Sequence, residues 1–153
     1  MYTRFRGINS VSMDSKGRIA IPVMYRNYLT EERGACLIIT IDTNDKCLLL
    51  YPQPEWEEIE KKVEALPSFD PQARRIQRLL IGYATQVDMD KQGRILLPSM
   101  LRDYASIDKQ VVLVGQGKRF EIWAKDQWDI MSKQLQTTQH STDISSAMKD
   151  ISL

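Results

Sequence analysis

At 153 residues the chain has the length of one ordinary domain or of two very small ones. Apolar residues make up 42% and charged residues 27%, a globular composition that excludes a disordered or fibrous chain. Lys and Arg total 21 against 20 Asp and Glu, a formal net charge of +1, which excludes a polycation that coats nucleic acid by charge alone.

The first residues, Met1 to Gly7, carry charge but no apolar stretch, so no secretory signal is expected. Val11 and Met13 alternate as in a strand, and Asp14-Ser-Lys-Gly17 has the chemistry of a tight turn. The Asp can accept from nearby backbone N–H groups, and the Gly can take the positive φ that a three-residue hairpin demands. Ile19 and Ile21 alternate on the far side, and Pro22 then stops the strand, well placed as the first residue of a short helix. Met24, Tyr25, Tyr28 and Leu29 have helical spacing. Strands Cys36 to Ile41 and Lys46 to Tyr51 follow, joined by Asp42-Thr-Asn-Asp45.

Residues 54–66 read as a helix with Pro54 at its start, early Glu residues, late Lys61 and Lys62, and an apolar stripe of Trp56, Ile59, Val63 and Leu66. Leu66-Pro67-Ser68 breaks it. Asp70 then caps a helix running to about Ile81, with Gly82 as its stop.

Everything in the first segment then recurs. Val11 to Leu29 reads VSMDSKGRIAIPVMYRNYL, and Val87 to Ala105 reads VDMDKQGRILLPSMLRDYA; at an offset of 76, 10 of 19 positions are identical. Asp90, Gly93 and Pro98 stand where Asp14, Gly17 and Pro22 stood. Strands Val111 to Gly115 and Arg119 to Trp123 close the second copy, and Trp128 lies over Trp56 at an offset of 72. Asp126 can cap a last helix that buries Trp128, Met131 and Leu135, and the residues from about Thr137 are polar and read as a mobile tail. The chain divides into a first unit at 7–53, connecting helices at 54–82, a second unit at 83–126 and a C-terminal helix and tail at 127–153.

Each unit of roughly fifty residues buries too little surface to be secure alone, and its strands have exposed edges. Both problems vanish if the two copies interleave. The fold expected is therefore α+β and mainly β: one intertwined domain, its strands closing into a single barrel about a pseudo-two-fold axis, with flanking helices.

Asp-x-x-Gly-Arg, followed by two or three apolar residues, a Pro and a short helix, resembles the AbrB-type swapped-hairpin motif of bacterial transition-state regulators and antitoxins. Its tandem duplication, with Arg74-Arg-Ile-Gln-Arg-Leu-Leu80 between the copies, is similar to the MraZ family over nearly the whole chain up to the tail. The resemblance implies swapped-hairpin barrel halves assembled into a closed homo-oligomeric ring. It also implies a transcriptional regulator, acting as a repressor. Such proteins bind short direct repeats in double-stranded DNA upstream of their own gene, at the head of a division and cell-wall gene cluster. A cytoplasmic protein associated with the nucleoid follows. The copies differ at Lys16 and Gln92, at Ser12 and Asp88, and at Ser15 and Lys91.

Arg18 and Arg94 follow the turn glycines. A guanidinium there can fork onto guanine O6 and N7 or onto a phosphate, or it can pair with Asp14 or Asp90 and fix the hairpin. From Met1 to Arg26, Arg4, Arg6, Lys16, Arg18 and Arg26 against Asp14 give a net of +4; from Val87 to Arg102 the net is +1. Counterion release comes from a local basic face, so the first-copy residues Lys16 and Arg18, helped by Arg4 and Arg6, are the favoured DNA contacts, with Arg94 beside them. Arg74, Arg75 and Arg78 face a segment rich in Glu (Glu55, Glu57, Glu58, Glu60, Glu64), and a helix–helix or subunit–subunit charge match is the reading preferred there.

Trp56 and Trp128 lie on apolar stripes and are read as packing residues, not as a stacking platform for single strands. Asp42, Asp45 and Lys46 lack the spacing of a calcium loop. Cys36 and Cys47 are isolated thiols with no disulfide framework, His140 stands alone in the tail, and no nucleophile, phosphate-loop or metal-ligand motif occurs. No enzyme, metal, cofactor, small-molecule substrate or membrane partner is expected. Two other readings stay open: a ring-forming assembly protein, and an antitoxin-like module whose tail engages a toxin.

Overall fold

The computed structural model describes residues 4–31, 36–137 and 146–151. The first copy contributes β1 (Ile8–Ser12), β2 (Arg18–Ala20), α1 (Val23–Glu31), β3 (Cys36–Ile41) and β4 (Leu48–Pro52). The connection contributes α2 (Gln53–Glu64) and α3 (Pro71–Ile76), the latter passing into a π-helical turn, Gln77–Ile81. The second copy repeats the first with β5 (Thr85–Asp88), β6 (Arg94–Leu96), α4 (Ser99–Tyr104), β7 (Gln110–Gly115) and β8 (Phe120–Ala124), followed by α5 (Lys125–Thr137).

Six strands form one antiparallel sheet in the order β1-β7-β8-β4-β3-β5, and β2 pairs with β6 in a separate two-stranded ribbon. The copies alternate: β1 lies on β7, β5 lies on β3, and the ribbon takes one strand from each copy. A single closed barrel was the expectation. The pairings among the described residues are instead those of an open sheet edged by β1 and β5, with the ribbon beside it. The reason is local. Each turn spends its hairpin bonding at once, Asp14 N–H donating to Arg18 C=O and Asp90 N–H to Arg94 C=O, both at 2.9 Å. The three-residue strands beyond are then taken up by each other and stopped by Pro22 and Pro98.

Alternation along the strands sets two apolar layers. Leu37, Ile39, Ile41, Leu48, Leu50, Val111, Leu113, Phe120 and Ile122 face the main core, closed on its other side by Ile19 and Ile95 of the ribbon and by Tyr25, Leu29, Leu97 and Leu101. Phe5 stacks on Phe120 with ring centroids 4.4 Å apart, so the N-terminal segment is pinned into this core. The outer face is covered too: Ile38, Leu49 and Tyr51 pack on Trp56 of α2, while Val112, Trp123 and Cys47 pack against Trp128 and Met131 of α5. A sheet covered on both faces explains why these strands read as continuous apolar runs.

Several helix expectations change in detail. Pro22 stands just before α1 and is not its first residue, and Asp126 lies inside the first turn of α5, which begins at Lys125. Pro98 is the cap before α4, not its first residue; its φ of −59° suits a helix start but its ψ of 141° is extended. The helix capped by Asp70 becomes a π turn after Ile76, and Thr40 Oγ1 donates to the Leu80 carbonyl at 2.8 Å, supplying that turn with a donor from β3. In α5, Trp128 and Met131 are half-buried but Leu135 is 63% exposed, because only the first turns of the helix lie over the sheet. The proposed tail beyond Thr137, with His140, lies largely outside the described residues.

Candidate nucleic-acid interface

Both turns close on the same hydrogen-bond pattern. Asp14 Oδ1 accepts from the N–H groups of Lys16 and Arg18, both at 2.9 Å, and Oδ2 accepts from Arg18 Nε at 2.8 Å. Asp90 does the same with Gln92 N–H and Arg94 N–H at 2.9 Å and Arg94 Nε at 3.1 Å. Gly17 and Gly93 hold φ of +88° and +78°, the left-handed conformation the turn requires. Of the two readings of each arginine, pairing with the turn carboxylate is therefore realised, yet neither guanidinium is buried. Nε is spent on the carboxylate, and the terminal nitrogens remain to donate elsewhere.

Those hydrogen bonds hold both aspartates below the ordinary value of 3.8. The arginine N–H of each turn is the largest cause, and burial works against it. The turns therefore stay ionised and the arginines stay oriented at any pH where the protein meets DNA.

The ribbon register is Arg18 opposite Leu96, Ile19 opposite Ile95 and Ala20 opposite Arg94. Since Ile19 and Ile95 point inward with no exposure, the four residues Arg18, Ala20, Arg94 and Leu96 share the outward face. The two arginines, 76 residues apart, are diagonal neighbours there, and Arg94 also reaches Asp14 Oδ2 at 3.8 Å. Exposed Lys16 and Lys91 crown the two turns. Arg26 and Arg102 each lie against the turn of the opposite copy. Six cations thus lie in or beside the two turns, on a chain whose total charge is +1.

Arg4 and Arg6 do not join them. They precede β1, whose other end leads into the Asp14 turn. Arg4 reaches Glu55 of α2 at 3.8 Å, and the Arg6 backbone brackets the Tyr25 hydroxyl, N–H donating at 3.1 Å and C=O accepting at 3.2 Å. Arg74, Arg75 and Arg78 are exposed on α3 and the π turn. Among the described residues no ion pair joins them to the glutamates of α2. Charge counted along the chain does not show that the second copy's turn folds beside the first, which brings Arg94 and Arg102 next to the first-copy turn.

The group of metal-ligating side chains found among the described residues is buried: Asp42, Cys47 and Glu121, with ligand atoms within 4.8 Å of one another. Their own hydrogen bonds engage them, the Cys47 thiol donating to Asp42 Oδ2 at 3.6 Å and the Trp123 indole N–H to Glu121 at 2.9 Å. Burial raises the Cys47 thiol well above the ordinary value, with Glu121 and Asp42 adding to the shift; Cys36 is raised by burial and by Asp88. Neither is a reactive thiolate. No helix among the described residues is long and apolar enough to cross a membrane.

A family model described as "MraZ protein, putative antitoxin-like" matches residues 4–79 and again 80–151. The chain is 56% identical over 125 residues to a Coxiella burnetii protein named "Transcriptional regulator MraZ", covering 82% of each. It is 47% identical over 149 residues to a Hydrogenovibrio crunogenus protein of that name, covering 97% of this chain and 98% of the other. A Legionella pneumophila protein, likewise so named, is 52% identical over 130 residues, 85% of this chain and 86% of its own length. With both copies matched and nearly full-length relatives at this identity, the chain belongs to the MraZ family.

Proposed function

We propose that this chain is a DNA-binding transcriptional regulator that reads duplex DNA with the β2–β6 ribbon. The observation that carries the reading is the convergence of Arg18 and Arg94 on one outward ribbon face, each guanidinium braced by its own turn carboxylate. A two-stranded ribbon fits the major groove, and an oriented arginine can fork onto guanine O6 and N7. Lys16 and Lys91 at the turns are placed to meet the flanking phosphates. Arg4 and Arg6, beyond the other end of β1, stay outside this contact.

One ribbon is a small contact. In a homo-oligomeric ring, neighbouring ribbons would engage successive short direct repeats, each later contact gaining from effective concentration. Repeats about one DNA turn, roughly 10 base pairs, apart would keep all the ribbons on one face. Occupying its own promoter in this way excludes RNA polymerase, which makes the protein a repressor acting in the cytoplasm at the nucleoid.

A gel-shift with the DNA preceding its gene tests the reading. Binding should weaken steeply with salt, since each neutralised phosphate releases counterions. A salt-independent shift removes the phosphate contacts. If Arg18→Ala dissociates the oligomer, the arginine belongs to assembly, which favours the ring-forming reading without DNA contact.

A further inference from the structure

The antiparallel register places a pseudo-dyad between Ile19 and Ile95. Rotation about it exchanges Arg18 with Arg94 and Ala20 with Leu96. The first pair is identical and the second is not. Leu96 is 52% exposed and projects a branched apolar group from a face that otherwise carries only guanidinium groups and one methyl.

Around the dyad some matched positions are alike and others are not: Val23, 72% exposed, has Ser99 as its counterpart. The two turns differ in sequence, Ser15-Lys16 against Lys91-Gln92, yet each carries one lysine. Met24 and Met100, matched by the offset, are exposed to 71% and 64% on the two sides. Within the ribbon face itself the imbalance is Leu96, which shares a shallow cleft with Asp88, a residue whose first-copy counterpart is Ser12. A carboxylate there disfavours phosphate, so this side suits the groove floor and not the backbone.

We infer that Leu96 is a specificity-determining residue, packing on the 5-methyl group of one thymine and so fixing the direction in which the ribbon lies on its site. The inference rests on the DNA-binding reading above. Leucine offers no donor or acceptor, and the thymine methyl is the apolar group that the major-groove edge presents. A ribbon symmetric about its dyad reads a site equally in either direction. One with leucine on a single side does not, and that polarity suits sites repeated head to tail.

Duplexes selected by the full chain from a pool with a random central segment provide the probe. The selected unit should be non-palindromic, with a thymine to one side of its centre. Replacing that thymine by deoxyuridine removes one methyl and should weaken wild-type binding about fourfold. Leu96→Ala should still bind but lose this sensitivity. The exchange Ala20→Leu with Leu96→Ala should move it to the base pair across the centre. A palindromic unit, or wild-type binding indifferent to deoxyuridine at every thymine, overturns the inference while leaving DNA binding in place; the uracil scan needs no variant protein. Failure to enrich any sequence overturns the DNA-binding reading itself.

Discussion

Arg26 of the first copy lies across Gly93 of the second so closely that a Cβ on the glycine would stand 2.3 Å from Arg26 Nε. The counterpart contact, Arg102 across Gly17, leaves 3.1 Å to the guanidinium carbon. Each copy's helix therefore clamps the other copy's turn. Backbone bonds do the same work, Ile21 N–H donating to Gly93 C=O at 2.8 Å and Leu97 N–H to Gly17 C=O at 2.9 Å. The arginine turns are presented correctly only when both copies are folded together.

Alanine at either glycine should destabilise the protein by about 1–3 kcal/mol, because it strains a left-handed position. Gly93→Ala should be the worse, since it also displaces Arg26 from its 2.9 Å bond to Ile21 C=O. Asparagine, which tolerates positive φ, should cost less at position 17. Thermal denaturation of the variants checks the order.

The two clamping arginines are not equivalent. Arg26 Nε has its acceptor, whereas Arg102 Nε is buried with no partner among the described residues. Arg26→Met should cost about 1–2 kcal/mol, and Arg102→Met, which removes an unsatisfied donor, should be close to neutral. Denaturant titration distinguishes the two; equal losses would contradict the assigned bonding.

Acid should loosen the turns. Asp14 and Asp90 titrate below 3.8 in the folded protein, so their contribution to stability is full above that value and is lost as pH falls through the lower folded values. Asp14→Asn with Asp90→Asn should therefore be less stable than wild type at neutral pH and lose less on acidification between about pH 5 and pH 2. Unfolding midpoints across that range provide the check.

Ile95→Ala removes a fully buried side chain where the copies meet and should cost about 2–5 kcal/mol. Because the strand partner of β6 is β2 of the other copy, unfolding should remain a single transition when followed by Trp56 of α2 and Trp123 of β8. Two separated transitions would mean independently stable halves.

Much of this was legible in the residues. The Asp-x-x-Gly-Arg turns carry their own hydrogen-bond logic within five positions, and the apolar stripe of α2 and the Asp70 cap of α3 are equally local. What escaped was non-local. Nothing near Arg18 announces that its cross-strand partner is Leu96, so charge counted along the chain treats the two basic turns as separate. Arg4 and Arg6 counted as part of one basic stretch because sequence distance ignores the run of β1 that separates them from the turn. The π turn depends on Thr40, a residue some forty positions earlier, and the exposure of Leu135 depends on where the sheet ends.

The most direct test is the DNA affinity of Arg18→Ala and Arg94→Ala, measured on the same duplex with the oligomer verified intact by ultracentrifugation. A shared ribbon predicts that both variants lose binding to a similar degree, about tenfold or more each, and that the salt dependence of binding becomes shallower. Unchanged affinity in both variants, or loss confined to Arg18→Ala, would contradict the joint ribbon contact.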